Sequence, residues 1–133
     1  MSKMIEEARQ QPETLGRTLE QGLAATRALQ KRFERARPRL IVIAARGTSD
    51  NAAQFGRYLI EMTTGIPVSL AAPSIVTLYH RHVDLREALV VGISQSGEST
   101  DINAVLEDGS ARGAVVVGIT NEPRSAMARK TDS

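Results

Sequence analysis

Two short runs hold the residue types best suited to chemistry. One is Arg46-Gly47-Thr48-Ser49-Asp50-Asn51, the other Ser94-Gln95-Ser96-Gly97-Glu98-Ser99-Thr100-Asp101. Both are dense in hydroxyls, both contain a glycine, and neither carries a lysine. Ser and Thr donate to anion oxygens without a cation, each hydrogen bond to a charged group contributing roughly 1.5–3 kcal/mol net. Glycine permits positive φ and close approach of the backbone to a ligand. If each run opens a helix, unpaired N–H groups and about half a positive charge add to the attraction. That is chemistry for gripping a phosphate monoester, and the candidates are Gly47, Thr48, Ser49, Ser94, Gln95, Ser96, Gly97 and Ser99. Helix capping by Ser49 or Asp50, and by Ser99 or Asp101, would use the same residue types. Two matched runs favour binding over capping. The phosphate-loop and dinucleotide patterns, GxxxxGK[ST] and GxGxxG, are both absent.

Other candidates are weaker. Glu98 could act as a base, but an acid at a helix start is more commonly held by the helix dipole. His80, His82 and Asp84 form an H-x-H-x-D run. A metal would need convergent ligands with supporting partners, and exposed loop histidines are the better expectation. Arg46 either faces the phosphate or lies on the surface, and the sequence leaves both open. No catalytic residue, metal ligand or cofactor is therefore assigned.

Whether the two runs meet depends on the elements that carry them. Apolar, largely β-branched runs at 40–45, 67–71, 88–93 and 114–119 suit strands buried on both faces. Between them lie helical patterns. Residues 50–63 direct Ala53, Phe55, Gly56, Leu59, Ile60 and Met62 to one side, and residues 99–111 direct Ile102, Val105 and Leu106 inward. Asp108-Gly109 sits poorly there, since glycine costs about 1 kcal/mol in a helix, so early fraying is expected. Alternating strands and helices predict an α/β, doubly wound parallel sheet in three αβα layers. In the flavodoxin-like order 2-1-3-4-5 strands 1 and 3 are neighbours where the winding reverses, and ligands bind beyond the carboxyl ends of such strands. The two hydroxyl runs follow strands 1 and 3.

Upstream, Leu15, Leu19, Leu23, Thr26, Leu29 and Phe33 mark one apolar stripe on a helix starting after Pro12 and ending at Arg37-Pro38. Residues 1–37 thus read as a helical lead-in, and 38–133 as the sheet domain. A helix near 124–130 should precede a fifth strand that the sequence does not supply. The domain is expected to be C-terminally truncated, lacking its last strand.

Bulk composition narrows the class. The 133 residues fit one domain, and 41% hydrophobic with 24% charged residues is ordinary for a globular chain. There is no cysteine, which excludes a disulfide framework, a thiolate metal site and a cysteine nucleophile. A net charge of +2 does not point to nucleic acid, and the basic stretch from Arg27 to Arg39 suits a solvated helix face. No apolar run approaches the ~20 residues of a membrane span, and the acidic opening is unlike a signal peptide. The cytoplasm is expected, with neither nucleic acid nor membrane as partner. The helical stripe and an open sheet edge predict a homodimer or larger.

The runs Ala45-Arg46-Gly47-Thr48-Ser49-Asp50-Asn51-Ala52-Ala53 and Gly92-Ile93-Ser94-Gln95-Ser96-Gly97-Glu98-Ser99 resemble the two binding loops of the sugar isomerase (SIS) domain family. The opening, from Met4 through Glu6-Glu7 to Gln11-Pro12, resembles the lead-in of double-SIS proteins. Ala72-Pro73-Ser74 and Gly118-Ile119-Thr120-Asn121 also match that subgroup, so the likeness covers essentially the whole chain. The subgroup includes the isomerase half of glutamine–fructose-6-phosphate aminotransferase and SIS-type glucosamine-6-phosphate deaminases. The resemblance implies that Ser94, Gln95, Ser96 and Ser99 hold a phosphate, while Thr48 and Ser49 contact the sugar or assist. The implied ligand is a phosphosugar of the glucosamine 6-phosphate or fructose 6-phosphate class. It further implies the first half of an aldose–ketose (amino)sugar-6-phosphate isomerase or deaminase. In such enzymes a second SIS unit supplies the lysine, glutamate and histidine for ring opening and proton transfer. That second unit is not part of this sequence, so the resemblance carries binding over and leaves catalysis open. The alternative is a non-catalytic sugar-phosphate sensor.

Overall fold

The computed structural model describes residues 2–131. Contacts divide the chain between Arg35 and Ala36 into two compact units. The first holds all but the last residue of one helix, α1 (Lys3–Ala36). The expected start after Pro12 is wrong, for α1 begins at Lys3 and carries Pro12 in its interior. Proline there forfeits one backbone hydrogen bond. The residues before it, such as Glu6, Glu7, Ala8, Arg9 and Gln10, are strong helix formers that keep the helix going on both sides. Exposed pairs Lys3–Glu7 and Arg17–Glu13 lie one turn apart along it. The helix stops where expected: Arg37 takes φ 45° just ahead of Pro38. No residue of α1 is buried, and Leu15, Leu19 and Leu23 are exposed.

The second unit runs β1 (Leu40–Ala45), α2 (Ser49–Thr64), β2 (Val68–Leu70), α3 (Ser74–Thr77), β3 (Ala88–Ile93), α4 (Thr100–Ala111), β4 (Val115–Ile119) and α5 (Ala126–Lys130). Its strands are parallel in the order β2-β1-β3-β4, so the winding reverses between β1 and β3. The continuous apolar runs follow from this arrangement, because both faces of β1 and β3 are covered. On one face Val42, Ala44, Val90 and Val116 pack with Ile102 and Leu106 of α4 and Met127 of α5. Side chains alternate across a strand, so Ile43 points to the other face, where α2 lies with Gly56 against it. Helices on both faces make the three αβα layers.

Three further expectations need correction. α2 does not turn all its apolar residues to one side: Ala53 is buried and Ile60 half-buried, whereas Phe55, Leu59 and Met62 are exposed. At 100° per residue the two sets fall on opposite faces of the helix. α4 neither frays nor breaks at Asp108-Gly109, but continues to Ala111. Gly109 is there for space, since a Cβ on it would sit 3.1 Å from Val90 Cγ2. β2 is shorter than 67–71, although its flanks still bond to β1 through Ile41 N–H to the Pro67 carbonyl and Ala71 N–H to the Ile43 carbonyl. Among the described residues, no helix is long and apolar enough to cross a membrane.

Candidate functional site

Register brings the two hydroxyl runs together. Ala45, the last residue of β1, pairs with Ile93, the last of β3, and Ile93 pairs with Ile119 at the end of β4. Three loops therefore leave the sheet at one level. Between the first two lies a 240 Å³ cleft lined by Arg46, Thr48, Ser49, Ile93, Ser94, Gln95, Ser96, Ser99 and Ile102. Thr48 is the N-cap of α2 and Ser99 the N-cap of α4, so the positive ends of both helices face it. Of the eight sequence candidates, Thr48, Ser49, Ser94, Gln95, Ser96 and Ser99 line the cleft. Gly47 and Gly97 shape the turns instead, at φ 63° and 65°.

The hydroxyls are disposed to donate. Neither Thr48 nor Ser99 caps its helix through its side chain. The contrast with Ser125, N-cap of α5, is direct: its buried Oγ accepts from Ala128 N–H at 3.2 Å. Ser94 Oγ accepts from Gly97 N–H at 3.1 Å, and Ser96 Oγ accepts from Glu98 N–H at 3.3 Å. A hydroxyl that accepts from an N–H keeps its own O–H for another acceptor, and such chains polarise one another.

Contacts that the sequence did not announce hold the second loop in shape. The Gln95 carbonyl accepts from Thr120 Oγ1 and from Asn121 N–H, both at 3.1 Å. The Gly97 carbonyl accepts from Met127 N–H and from the buried Asn103 Nδ2. Asn103 Oδ1 is buried with no partner among the described residues. Asp101, in the first turn of α4, reaches across to Arg46, Oδ2 to Nη1 at 3.1 Å. These contacts span loops far apart in sequence, so no local spacing announces them. Ile93 and Ile102 close the apolar side of the cleft.

Glu98 is occupied elsewhere: its Oε1 accepts from Ala126 N–H at 2.8 Å, placing the carboxylate at the start of α5 rather than α4. The H-x-H-x-D residues do not converge. His82 Nδ1 lies 2.6 Å from Asp108 Oδ1, which also accepts from Arg112 Nε at 3.0 Å, while Asp84 pairs with Arg86. Hydrogen bonds from Arg86 hold the Asp84 carboxyl at a pKa of about 2. Two larger surface hollows, of 590 and 470 Å³, lie beside these residues. Much of their charge is matched in pairs, Asp84 with Arg86 and Arg112 with Asp108. They offer nothing like the converging hydroxyls.

The SIS domain family matches residues 35–133. The glutamine–fructose-6-phosphate aminotransferase (isomerizing) of Symbiobacterium thermophilum is 36% identical over 97% of this chain, which covers 22% of that enzyme. A proposed phosphosugar isomerase from Silicibacter pomeroyi superposes with a TM-score of 0.94 at 30% identity, over 99% of this chain and 40% of its own. The C-terminal domain of glucosamine-fructose-6-phosphate aminotransferase from Francisella tularensis gives 0.82 at 31% identity, over the same shares. The chain spans 14–22% of the length of the curated relatives it matches. With this sheet order, these paired loops and these relatives, the chain belongs to the SIS domain family.

Proposed function

We propose that the cleft holds the phosphate of a phosphosugar of the fructose 6-phosphate or glucosamine 6-phosphate class. In this reading the chain contributes one SIS unit to an aldose–ketose (amino)sugar-6-phosphate isomerase or deaminase acting in the cytoplasm. The observation that carries it is the unspent hydroxyls of Thr48 and Ser99 at two converging helix N-termini, where capping would otherwise explain them. Ser94, Gln95, Ser96 and Ser99 hold the phosphate, Thr48 and Ser49 meet the sugar or assist, and Gly47 and Gly97 set the turns. Relatives named for fructose 6-phosphate support the substrate class. Because Glu98 is engaged at α5, ring opening and proton transfer fall to groups outside the cleft lining. No observation favours a sensor.

Thermal unfolding with added ligand tests this. Binding at about 100 times Kd adds roughly 2.7 kcal/mol, a rise in Tm of several degrees. The S94A/S96A double variant should still fold, at a somewhat lower Tm because two loop hydrogen bonds are lost, and should show no rise with ligand. The reading fails if millimolar fructose 6-phosphate and glucosamine 6-phosphate both leave the parent Tm unmoved. It fails equally if the double variant responds like the parent.

Self-association belongs to the same reading. The exposed stripe of α1 and the exposed outer face of α2 both carry large apolar side chains that a second copy would cover.

A further inference from the structure

Among the described residues lining the cleft, only Arg46 is charged. It leaves β1 immediately before Gly47, and its Nη1 meets Asp101 Oδ2 at 3.1 Å. That contact bridges the first loop to the first turn of α4, so it ties together the two elements that frame the cleft. Both partners keep access to water, with side-chain exposures of 60% for Arg46 and 37% for Asp101. An exposed ion pair of this kind adds little to stability. Its location therefore matters more than its strength.

Asp101 poses an electrostatic question of its own. A phosphate monoester carries about −1.5 to −2 charges near neutral pH, and a carboxylate beside it would repel it. Pairing with Arg46 cancels that charge locally. A guanidinium has five N–H donors in a rigid fork, so the contact at Nη1 leaves others for an anion. We propose that Arg46 is a phosphate-binding residue of the cleft, and that Asp101 is the positioning residue that holds its guanidinium over the hydroxyls of Thr48, Ser49, Ser96 and Ser99. The proposal rests on the phosphosugar reading of the cleft and adds a cation to a site otherwise built from hydroxyls and helix ends. Arginine suits the role better than lysine, because its planar fork can serve a carboxylate on one edge and a phosphate on the other.

The test is calorimetric titration with fructose 6-phosphate at low and moderate salt, on the parent chain and on R46A, R46K, D101N, R46A/D101N and S94A/S96A. R46A should weaken binding about tenfold or more at low salt and flatten its salt dependence, as expected when a charge contact is lost. R46K should recover part of the affinity and most of the salt dependence. D101N should weaken binding a few-fold, and R46A/D101N should match R46A, because Asp101 acts only through Arg46. Parent-like affinity and salt dependence in R46A would overturn the proposal, as would tighter binding by D101N, which would make Asp101 a mere repellent. A purely structural tie predicts equal losses in R46A and D101N with parental salt dependence in both, and that pattern also counts against it. S94A/S96A separates the two levels. If it loses binding while R46A does not, only the role of Arg46 falls. If the parent binds nothing, or S94A/S96A binds normally, the cleft reading falls and this proposal with it.

Discussion

Gly97 and Ser125 are in direct van der Waals contact: a Cβ built on Gly97 would lie 2.2 Å from Ser125 Oγ and 2.9 Å from Thr120 Oγ1. Ser125 cannot retreat, being 1% exposed and committed to capping α5. The same glycine holds φ 65°, which L side chains rarely adopt. Its carbonyl meanwhile anchors Met127 N–H and Asn103 Nδ2. One residue thus joins the loop that follows β3, the first turn of α4 and the start of α5.

The G97A variant should therefore lose both stability and ligand. Left-handed strain and the clash with Ser125 together should cost at least about 2 kcal/mol. Chemical denaturation measures the loss directly. Adding S125G should restore part of it by clearing the clash, leaving the backbone strain in place. A G97A chain as stable as the parent would show that the loop shifts freely, contrary to the packing described.

Gly109 is the opposite kind of glycine, with ordinary helical backbone and a crowded side. Propensity alone predicts that G109A gains up to about 1 kcal/mol. The new methyl would press on Val90, which is fully buried and stiff at χ1. The expected outcome is no gain, or a net loss of order 1 kcal/mol, with G109V clearly worse. Stabilisation by G109A, measured by urea unfolding, would mean that α4 moves off the sheet at little cost.

Acid tests the loop around Asp84. Its carboxyl is held at about 2 against an ordinary value of 3.8 by hydrogen bonds from Arg86. A depressed carboxylate pKa means that the contribution is fully present above the ordinary value and disappears as pH falls toward 2. Because the pair is exposed, the effect on global stability should be small. The local signature should be plain: the Asp84 carboxyl resonance should titrate near 2 in the parent and return toward 4 in R86Q. No difference between the two would mean that the pair does not persist in solution.

Much of this architecture is legible in the sequence, for a physical reason. Parallel strands covered on both faces must be apolar throughout, so Leu40–Ala45 and Ala88–Ile93 stand out as unbroken runs, and their polar successors mark the loops beyond. The strand order then follows from the fold class and brings Ser49 and Ser96 to one cleft. What escapes is whatever depends on through-space neighbours. The Arg46–Asp101 and Gly97–Ser125 contacts join segments far apart in the chain. Pro12 misleads because its local preference for a helix start yields to the helix formers before it. α2 misleads because apolar residues on two faces of one helix produce a single run of hydrophobic letters.

That second face of α2 carries a consequence for assembly. Phe55, Tyr58, Leu59 and Met62 recur at helical spacing, with exposures of 69%, 68%, 46% and 77%. Their opposite side already serves the core through Ala53 and Gly56. Four large apolar side chains aligned on an exposed helix make a contiguous patch of the kind that marks association surfaces, and aromatic residues with methionine are enriched at such interfaces. Self-association at micromolar concentration is the expected behaviour of the chain. Replacing Tyr58 and Met62 by lysine and glutamate should shift the mass from light scattering toward that of a single chain. Each exposed substitution should alter monomer stability by no more than about 0.5 kcal/mol, so a drop in mass with an unchanged unfolding midpoint at high dilution isolates the interface. A parent chain that stays monomeric at tens of micromolar would contradict the prediction. If the parent associates and the double variant does so equally, the contact lies on another surface, and the exposed leucines of α1 become the next to replace.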